Sequence, residues 1–393
     1  MGKTKRKYNA ELMRFRKSLR RPLLNILQIM PNGFSEDMFV SEFKALYAYL
    51  WDDICAKSQE YHRMDVGLQR KGFPKRYYFP SPNNYLRIIA APIIKNNRLY
   101  NELKVDSEKR EELKFSLKQR CKVIQKRRKE RLKENLKYVQ AVNPSYSNYY
   151  IETYFEIKHR NPIDVDARYT VLVEASKYKS PETIKFLHKV NASERNFHLR
   201  DFAFSTLQKF GIKEVRLRKN RKGKKRQGDE LVPIPIETPK DLINHIYNSQ
   251  LEQMKSYDLF ISHSSTDSEL LLQIKSILNC SNINVYIDWV NDREALKREL
   301  TNVETANAII ERLKSSKALL YIHTNASINS RWTPWEIGLF HALKNKVCVY
   351  NPDNIEKAPY LDVYPNVVLK NGLFFIEKNT ELVPIKDWIE HLF

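Results

Sequence analysis

The last third of the sequence predicts an α/β fold built on a parallel sheet, preceded by a mainly helical, strongly basic region. Three observations carry that expectation. The chain has 393 residues, more than one domain usually holds. After Ser256, short apolar runs of strand length alternate with amphipathic runs of helix length. The positive charge is confined to the other part: residues 251–393 carry 15 Lys+Arg against 18 Asp+Glu, a net of −3, which leaves +25 on residues 1–250.

The C-terminal elements follow in order. Residues 257–262 (YDLFIS) form a strand, 268–278 an amphipathic helix, and 284–288 (NVYID) a second strand. Residues 303–313 are helix, 318–323 (ALLYIH) strand, 332–343 helix and 347–350 strand, with a strand at 373–376 and a terminal helix near 385–392. Alternation of this kind means parallel strands with helices on both faces.

The earlier part reads differently. Residues 1–20 are a basic arm, part helical. Residues 34–56 form one helix with Met38, Phe39, Phe43, Leu46, Tyr47 and Leu50 inward. Four prolines between Gly72 and Pro92 make an irregular connection, and 101–138 a long charged helix. Its thin stripe of Leu113, Leu117, Cys121, Ile124, Leu132 and Leu136 is interrupted by Arg128. Residues 169–174 (YTVLVE) fit a strand or a short helix. Ser180-Pro181 opens a helix to Val190, and another follows from Ser193 to a cap at Gly211. The run 216–226 (RLRKNRKGKKR) is a basic loop, hairpin or arm, and Pro233, Pro235 and Pro239 mark a boundary. The resulting domains are 1–235, a linker helix in 236–256, and 257–393.

Composition excludes several classes. With 9 glycines and neither G-x-x-x-x-G-K-[ST] nor G-x-G-x-x-G, no glycine-rich phosphate loop is expected. The 4 cysteines form no C-x-x-C pair, and a reduced, cytoplasmic protein is expected. Basic residues 3–6 are not followed by an apolar core, so no signal peptide is read, and the most apolar run, 88–94, is broken by Pro92 far short of a membrane span. His263, His323 and His341 belong to no metal-spaced cluster and read as loop or surface histidines. There is no G-x-S-x-G elbow.

In an open parallel sheet, ligands bind beyond the carboxyl ends of the strands, where strand order reverses. Three segments lie there. After strand one come Ser262-His263-Ser264-Ser265-Thr266-Asp267, whose small polar groups either meet a ligand or cap the next helix through Thr266 or Asp267. After strand two come Asp288 and Trp289; the indole either covers a ring-containing ligand or seals the core edge. The third is SRWTPWEIG, residues 330–338. On a helix Trp332 and Glu336 share a face, yet Thr333-Pro334 before Glu336 is also a good capping box, and spacing alone favours the cap.

Together these residues resemble the bacterial TIR (Toll/interleukin-1 receptor) domains. The resemblance covers about 257–393 and rests on YDLFISHS at 257–264, VYIDW at 285–289, VETA at 303–306, LKSSK at 313–317 and SRWTPWEIG. It implies a flavodoxin-like α/β domain with a five-stranded parallel sheet and, as in many bacterial members, cleavage of the nicotinamide–ribose bond of NAD+, which is substrate rather than cofactor. The family's W-x-x-x-E motif falls on Trp332 and Glu336, which implies that Glu336 is the catalytic carboxylate. By the same resemblance His263 and Ser264 meet the nucleotide, and Asp288 and Trp289 lead into a loop that closes over the site, often against a second copy. A homo-oligomer is therefore expected. The connection 288–303 departs from the family, being long, charged and without glycine, so nothing is carried over to Arg293.

The chemistry suits a lone carboxylate. Nicotinamide leaves as a neutral molecule, so no general acid is required, and a fixed negative charge stabilises the oxocarbenium that develops on the ribose. The family also contains non-catalytic adaptors, and a scaffold that binds nucleic acid or protein partners is the alternative. For the basic region, lysines and arginines with Tyr77, Tyr78, Tyr146, Tyr149 and Tyr150 nearby point to nucleic acid, or to a nucleic-acid-bound protein. A sensor fused to an NAD+-cleaving effector resembles the design of bacterial anti-phage defence proteins.

Overall fold

The computed structural model of the chain describes residues 3–96, 106–212, 215–217, 236–292, 295–296, 302–378 and 381–391. Contacts divide it into two compact units, residues 1–133 and 134–393, so the division falls inside the stretch read as one basic region.

The first unit is built from α1 (Lys3–Ile29), α2 (Glu36–Leu46), α3 (Ala48–Gln69), α4 (Pro82–Asn96) and α5 (Ser107–Asn135, ending just past the division). Phe15, Leu19, Leu23 and Ile26 recur at helical spacing on α1 and meet Phe39 and Phe43 of α2, Ile54 of α3, Leu86 and Ile89 of α4 and Leu117 of α5 in one core. The basic arm is thus the first two thirds of a core helix. The single helix expected over 34–56 is two, because Tyr47 leaves helical geometry at φ −111° while its hydroxyl accepts a 2.8 Å bond from Asn25. Met38, expected inward, is exposed. Most of the expected irregular connection is α4, which opens on Pro82 and carries Pro92 within it. On α5 only Leu117 and Cys121 of the stripe are buried, and Arg128 is an anchor, donating to the Tyr49 carbonyl at 2.9 Å and to Asp53.

The second unit begins with α6 (Ser147–Arg160), α7 (Val165–Ser176), α8 (Pro181–Ser193), α9 (Phe197–Lys209), α10 (Pro239–Asn248) and α11 (Gln250–Gln253). Residues 169–174 take the helical option within α7, which Asp164 caps by accepting the Ala167 N–H at 3.0 Å. Ser180 caps α8 as its sequence suggests, while α9 starts behind Asn196 rather than at Ser193. Gly211, at φ +89°, ends α9. Most of the run 216–226, and Arg293, lie outside the described residues.

The α/β part follows. Strands β1 (Tyr257–Ser262), β2 (Val285–Tyr286), β3 (Ser316–Ile322), β4 (Val347–Tyr350), β5 (Asn366–Lys370), β6 (Leu373–Lys378) and β7 (Glu381–Pro384) lie in the order β2-β1-β3-β4-β5-β6-β7. The expected five-stranded parallel sheet is therefore a seven-stranded mixed one. Its first five strands in that order are parallel, and β6 and β7 pair antiparallel at the edge. Asn371 and Gly372, at φ 52° and 75°, make the tight turn that folds β6 back on β5. Second, β2 is only two residues long, because the chain turns into α13 (Asp288–Asn291) straight after Ile287.

Strand alternation sorts the core. Leu259 and Ile261 face α12 (Ser268–Cys280) and α17 (Ile385–Glu390), while Phe260 and Tyr286 face α14 (Val303–Lys314) and α16 (Trp332–Lys344). Polar contacts join the helices of this unit to its sheet. Gln140 donates to the Val285 carbonyl at 2.9 Å, and Lys275 of α12 reaches three carbonyls, those of Leu136, Lys137 and Val139. Arg312 of α14, 2% exposed, binds Asp292 at 2.8 Å and Glu252 at 2.8 Å, and Lys255 joins Glu252 to Glu174 of α7. Among the described residues no helix is long and apolar enough to cross a membrane.

Candidate active site

With β2 on one side of β1 and β3 on the other, the order of the parallel strands reverses between β1 and β3, and the carboxyl end of β1 is where a ligand is expected. Phe260 pairs with Tyr286 in register. Two residues beyond Phe260, on the same face by alternation, comes Ser262, and Asp288 opens α13 two residues beyond Tyr286. This is the face that α16 covers, and Glu336 stands one turn into that helix.

The local chemistry of the α16 start decides which role Glu336 takes. Ser330 Oγ accepts the N–H groups of Trp332 and Thr333 at 3.3 and 3.4 Å, and the Thr333 hydroxyl donates to the Ser327 carbonyl at 3.0 Å. The capping box that spacing favoured does not form, since the helix already begins at Trp332 and its end is served by Ser330. Glu336 turns to the sheet instead, and its Oε2 accepts the Ser262 hydroxyl at 2.6 Å. Both residues are buried, Ser262 fully and Glu336 at 8% exposure.

Beside them sits an ion pair. His263 Nε2 is 3.3 Å from Asp288 Oδ1, and His263 Nδ1 is 2.9 Å from the Ile261 carbonyl. Both ring nitrogens face acceptors, the arrangement of a doubly protonated ring. Burial acts to lower the imidazole pKa, but the Asp288 charge and hydrogen bond, with the Ile261 carbonyl and the Glu336 charge, raise it above its ordinary value. For Glu336, burial pushes the carboxyl up to about 7; the Ser262 hydrogen bond and the His263 charge pull it down, and the Asp288 charge raises it. The result is a carboxyl poised near neutrality, the range in which small changes of field alter its charge. Asp288 is the open member, with 39% of its side chain exposed.

Of the residues singled out in the sequence, Glu336, His263 and Asp288 come together. Ser264 is not in that cluster; its hydroxyl lies 3.1 Å from Thr266 in its own loop. Asp267 stands at the start of α12 without capping it, and accepts the Thr324 hydroxyl at 2.7 Å, tying the ends of β1 and β3. Trp289 packs against the core beside Tyr138, with its ring nitrogen buried and without a hydrogen-bond partner, and Trp332 packs edge-to-face on Trp335 at 5.4 Å. His323 is a loop residue just after β3 but not a surface one, being buried and bonded to Tyr321 and to the Glu356 carbonyl. Within the polar segment that ends strand one, it is Ser262 that holds Glu336, which strand parity with Phe260 signals. A cleft of about 180 Å³ lies at the opposite, amino ends of the strands, lined by Ser256, Asp258, Asn284 and Lys317, away from this constellation.

Comparison with known proteins bears on the family. No protein-family model matches the chain. It is 30% identical over 364 residues to the "Putative cyclic ADP-D-ribose synthase TIR2" of Cytobacillus dafuensis, covering 90% of this chain and 93% of that protein. It is also 32% identical over 167 residues to the "Probable 3' cyclic ADP-D-ribose synthase ThsB'" of Bacillus cereus (strain MSX-D12), covering 39% of this chain and 86% of that protein. The first alignment is too long to be confined to the α/β part and takes in helical residues before it. A mixed sheet whose parallel strands reverse their order at β1, a buried glutamate beside the carboxyl end of β1 and likeness over nine-tenths of the chain make one case: this chain belongs to the bacterial TIR-domain proteins.

Proposed function

We propose that the protein cleaves the nicotinamide–ribose bond of NAD+ with Glu336 as the catalytic carboxylate, and serves as the effector of an anti-phage defence system. The bond between C1′ and the pyridinium nitrogen breaks, and its electron pair neutralises the leaving nicotinamide. The positive charge passes to the ribose, where the ionised Glu336 stabilises it. Water at C1′ gives ADP-ribose; an atom of the substrate's own adenosine half gives a cyclic isomer. The names of both relatives favour the cyclic product. The observation that carries the reading is the Glu336 carboxylate held by Ser262 beside the His263–Asp288 pair.

Ser264, Trp289 and Trp332 would line the approach for the nucleotide. Substrate entry requires the segment after β2, which carries Asp288 and Trp289, to move, and activation couples that movement to self-association and to a polyanion bound by the basic region. The test is nicotinamide release by purified protein supplied with NAD+, with products separated by chromatography. Glu336→Gln and Glu336→Ala should abolish release under activating conditions, and release at the parent rate would refute the role. The near-closure of the site favours a second reading, a non-catalytic scaffold, which predicts no loss of NAD+ in cells under any activating condition.

A further inference from the structure

Residues 66–101 contain no aspartate or glutamate and carry 7 lysines and arginines, among them Arg70, Lys71, Lys75 and Arg76. The segment that joins α3 to α4 displays those four, all exposed. It is not an idle loop. Gly72, at φ +75°, ends α3 and turns the chain, with the Phe73 N–H returning to the Leu68 carbonyl at 3.0 Å.

Asp65, 4% exposed, then accepts three successive backbone N–H groups, from Arg76, Tyr77 and Tyr78, at 2.8, 3.0 and 2.9 Å. Tyr77 and Phe79 turn inward against Tyr61, and the Tyr8 hydroxyl donates to the Tyr77 carbonyl at 2.8 Å. Between those two staples Tyr78 is held at φ +48°, a left-handed conformation that strains an aromatic residue, and the residue is 71% exposed. Phe73 is 56% exposed on the same segment.

A fixed backbone that presents two aromatic faces among four cations matches one kind of partner. Lysines and arginines neutralise phosphates, and each exposed ring offers a surface on which an unpaired base stacks. We infer that the segment 70–78, clamped by Asp65, is a binding platform for single-stranded nucleic acid, with Phe73 and Tyr78 stacking on bases and Arg70, Lys71, Lys75 and Arg76 on the backbone. The inference rests on the reading of the basic region as polyanion-binding and gives that reading an address.

The experiment measures binding of the full-length protein to fluorescent single-stranded DNA and RNA oligomers over a salt series, with an abasic oligomer of the same length and polyglutamate as competitors. Phe73→Ala and Tyr78→Ala should each weaken binding to base-containing strands roughly 5-fold or more while leaving the abasic oligomer unchanged. Lys75→Gln with Arg76→Gln should lower the slope of log affinity against log salt by about 1.4, two phosphates' worth for a single strand. Asp65→Asn, which loosens the clamp without touching the exposed surface, should weaken binding as well, with thermal unfolding confirming that each variant folds. Binding by the parent that all variants retain overturns the platform and leaves the polyanion reading standing. No salt-dependent binding by the parent overturns both. Equal competition by polyglutamate, with no effect of the aromatic substitutions, assigns the surface to an acidic protein and overturns the inference.

Discussion

Glu336, the carboxylate of the proposed reaction, also bears on stability. Its carboxyl is pushed up to about 7 by burial, whereas the same group in an unfolded chain titrates near 4.5. The folded protein therefore holds this proton more tightly, and the associated stability is whole below the unfolded value and lost as pH rises through 7. Glu336→Gln cannot ionise, so the variant should be more stable than the parent at pH 8, by up to about 3 kcal/mol, with the gap shrinking toward pH 5. Thermal unfolding across that range checks it. The proposed reaction runs the other way: if only the ionised form stabilises the ribose cation, kcat/KM should fall as pH drops below about 7. Ser262→Ala removes the hydrogen bond that pulls the carboxyl down, and should move that acid limb to higher pH and cost roughly tenfold or more in rate at pH 7. The W-x-x-x-E motif made Glu336 legible in the sequence. Ser262 was not, because in the run ISHSS nothing but strand parity separates one serine from the next. The pairing of His263 with Asp288 requires knowing that β1 and β2 are neighbours, which 24 intervening residues do not disclose.

At the scale of elements, periodicity located most helices and strands, and it failed where a side chain from elsewhere decided the backbone. Residues 169–174 have the β-branched content of a strand, yet the cap at Asp164 and the surrounding helices draw them into α7. The break at Tyr47 follows from a partner 22 residues away, and Arg128 reads as a flaw in its stripe until Asp53 is placed opposite it. The edge hairpin was open to view: Asn371-Gly372 between apolar runs is a strong turn signal that the strand at 373–376 alone does not exploit. Arg312 is the element-scale contact most open to test. It is fully buried between Asp292 and Glu252, so Arg312→Met would strand two buried carboxylates and should destabilise the fold by about 3–5 kcal/mol. Arg312→Lys should restore only part of this, since an ammonium cannot span both carboxylates as a planar guanidinium does. Denaturant unfolding of both variants measures the difference.

Across the whole molecule, the sequence showed the charge asymmetry plainly but not the division between units. Composition changes near residue 235, whereas contacts divide the chain at 133, because Gln140, Lys275 and Arg312 are single residues whose partners lie far off in sequence. A truncation tests which boundary governs folding. Residues 134–393 should give soluble protein with cooperative unfolding, while residues 257–393, stripped of the groups that satisfy Lys275 and Arg312, should aggregate or melt well below it. The buried charges also tie the helices of this unit to its sheet. Glu174, Lys255, Glu252, Arg312 and Asp292 form an unbroken relay from α7 to a residue four places beyond Asp288. Charges sealed from water hold their spacing stiffly. Any shift of α7 against the sheet would therefore be passed on, link by link, to the segment that carries Asp288.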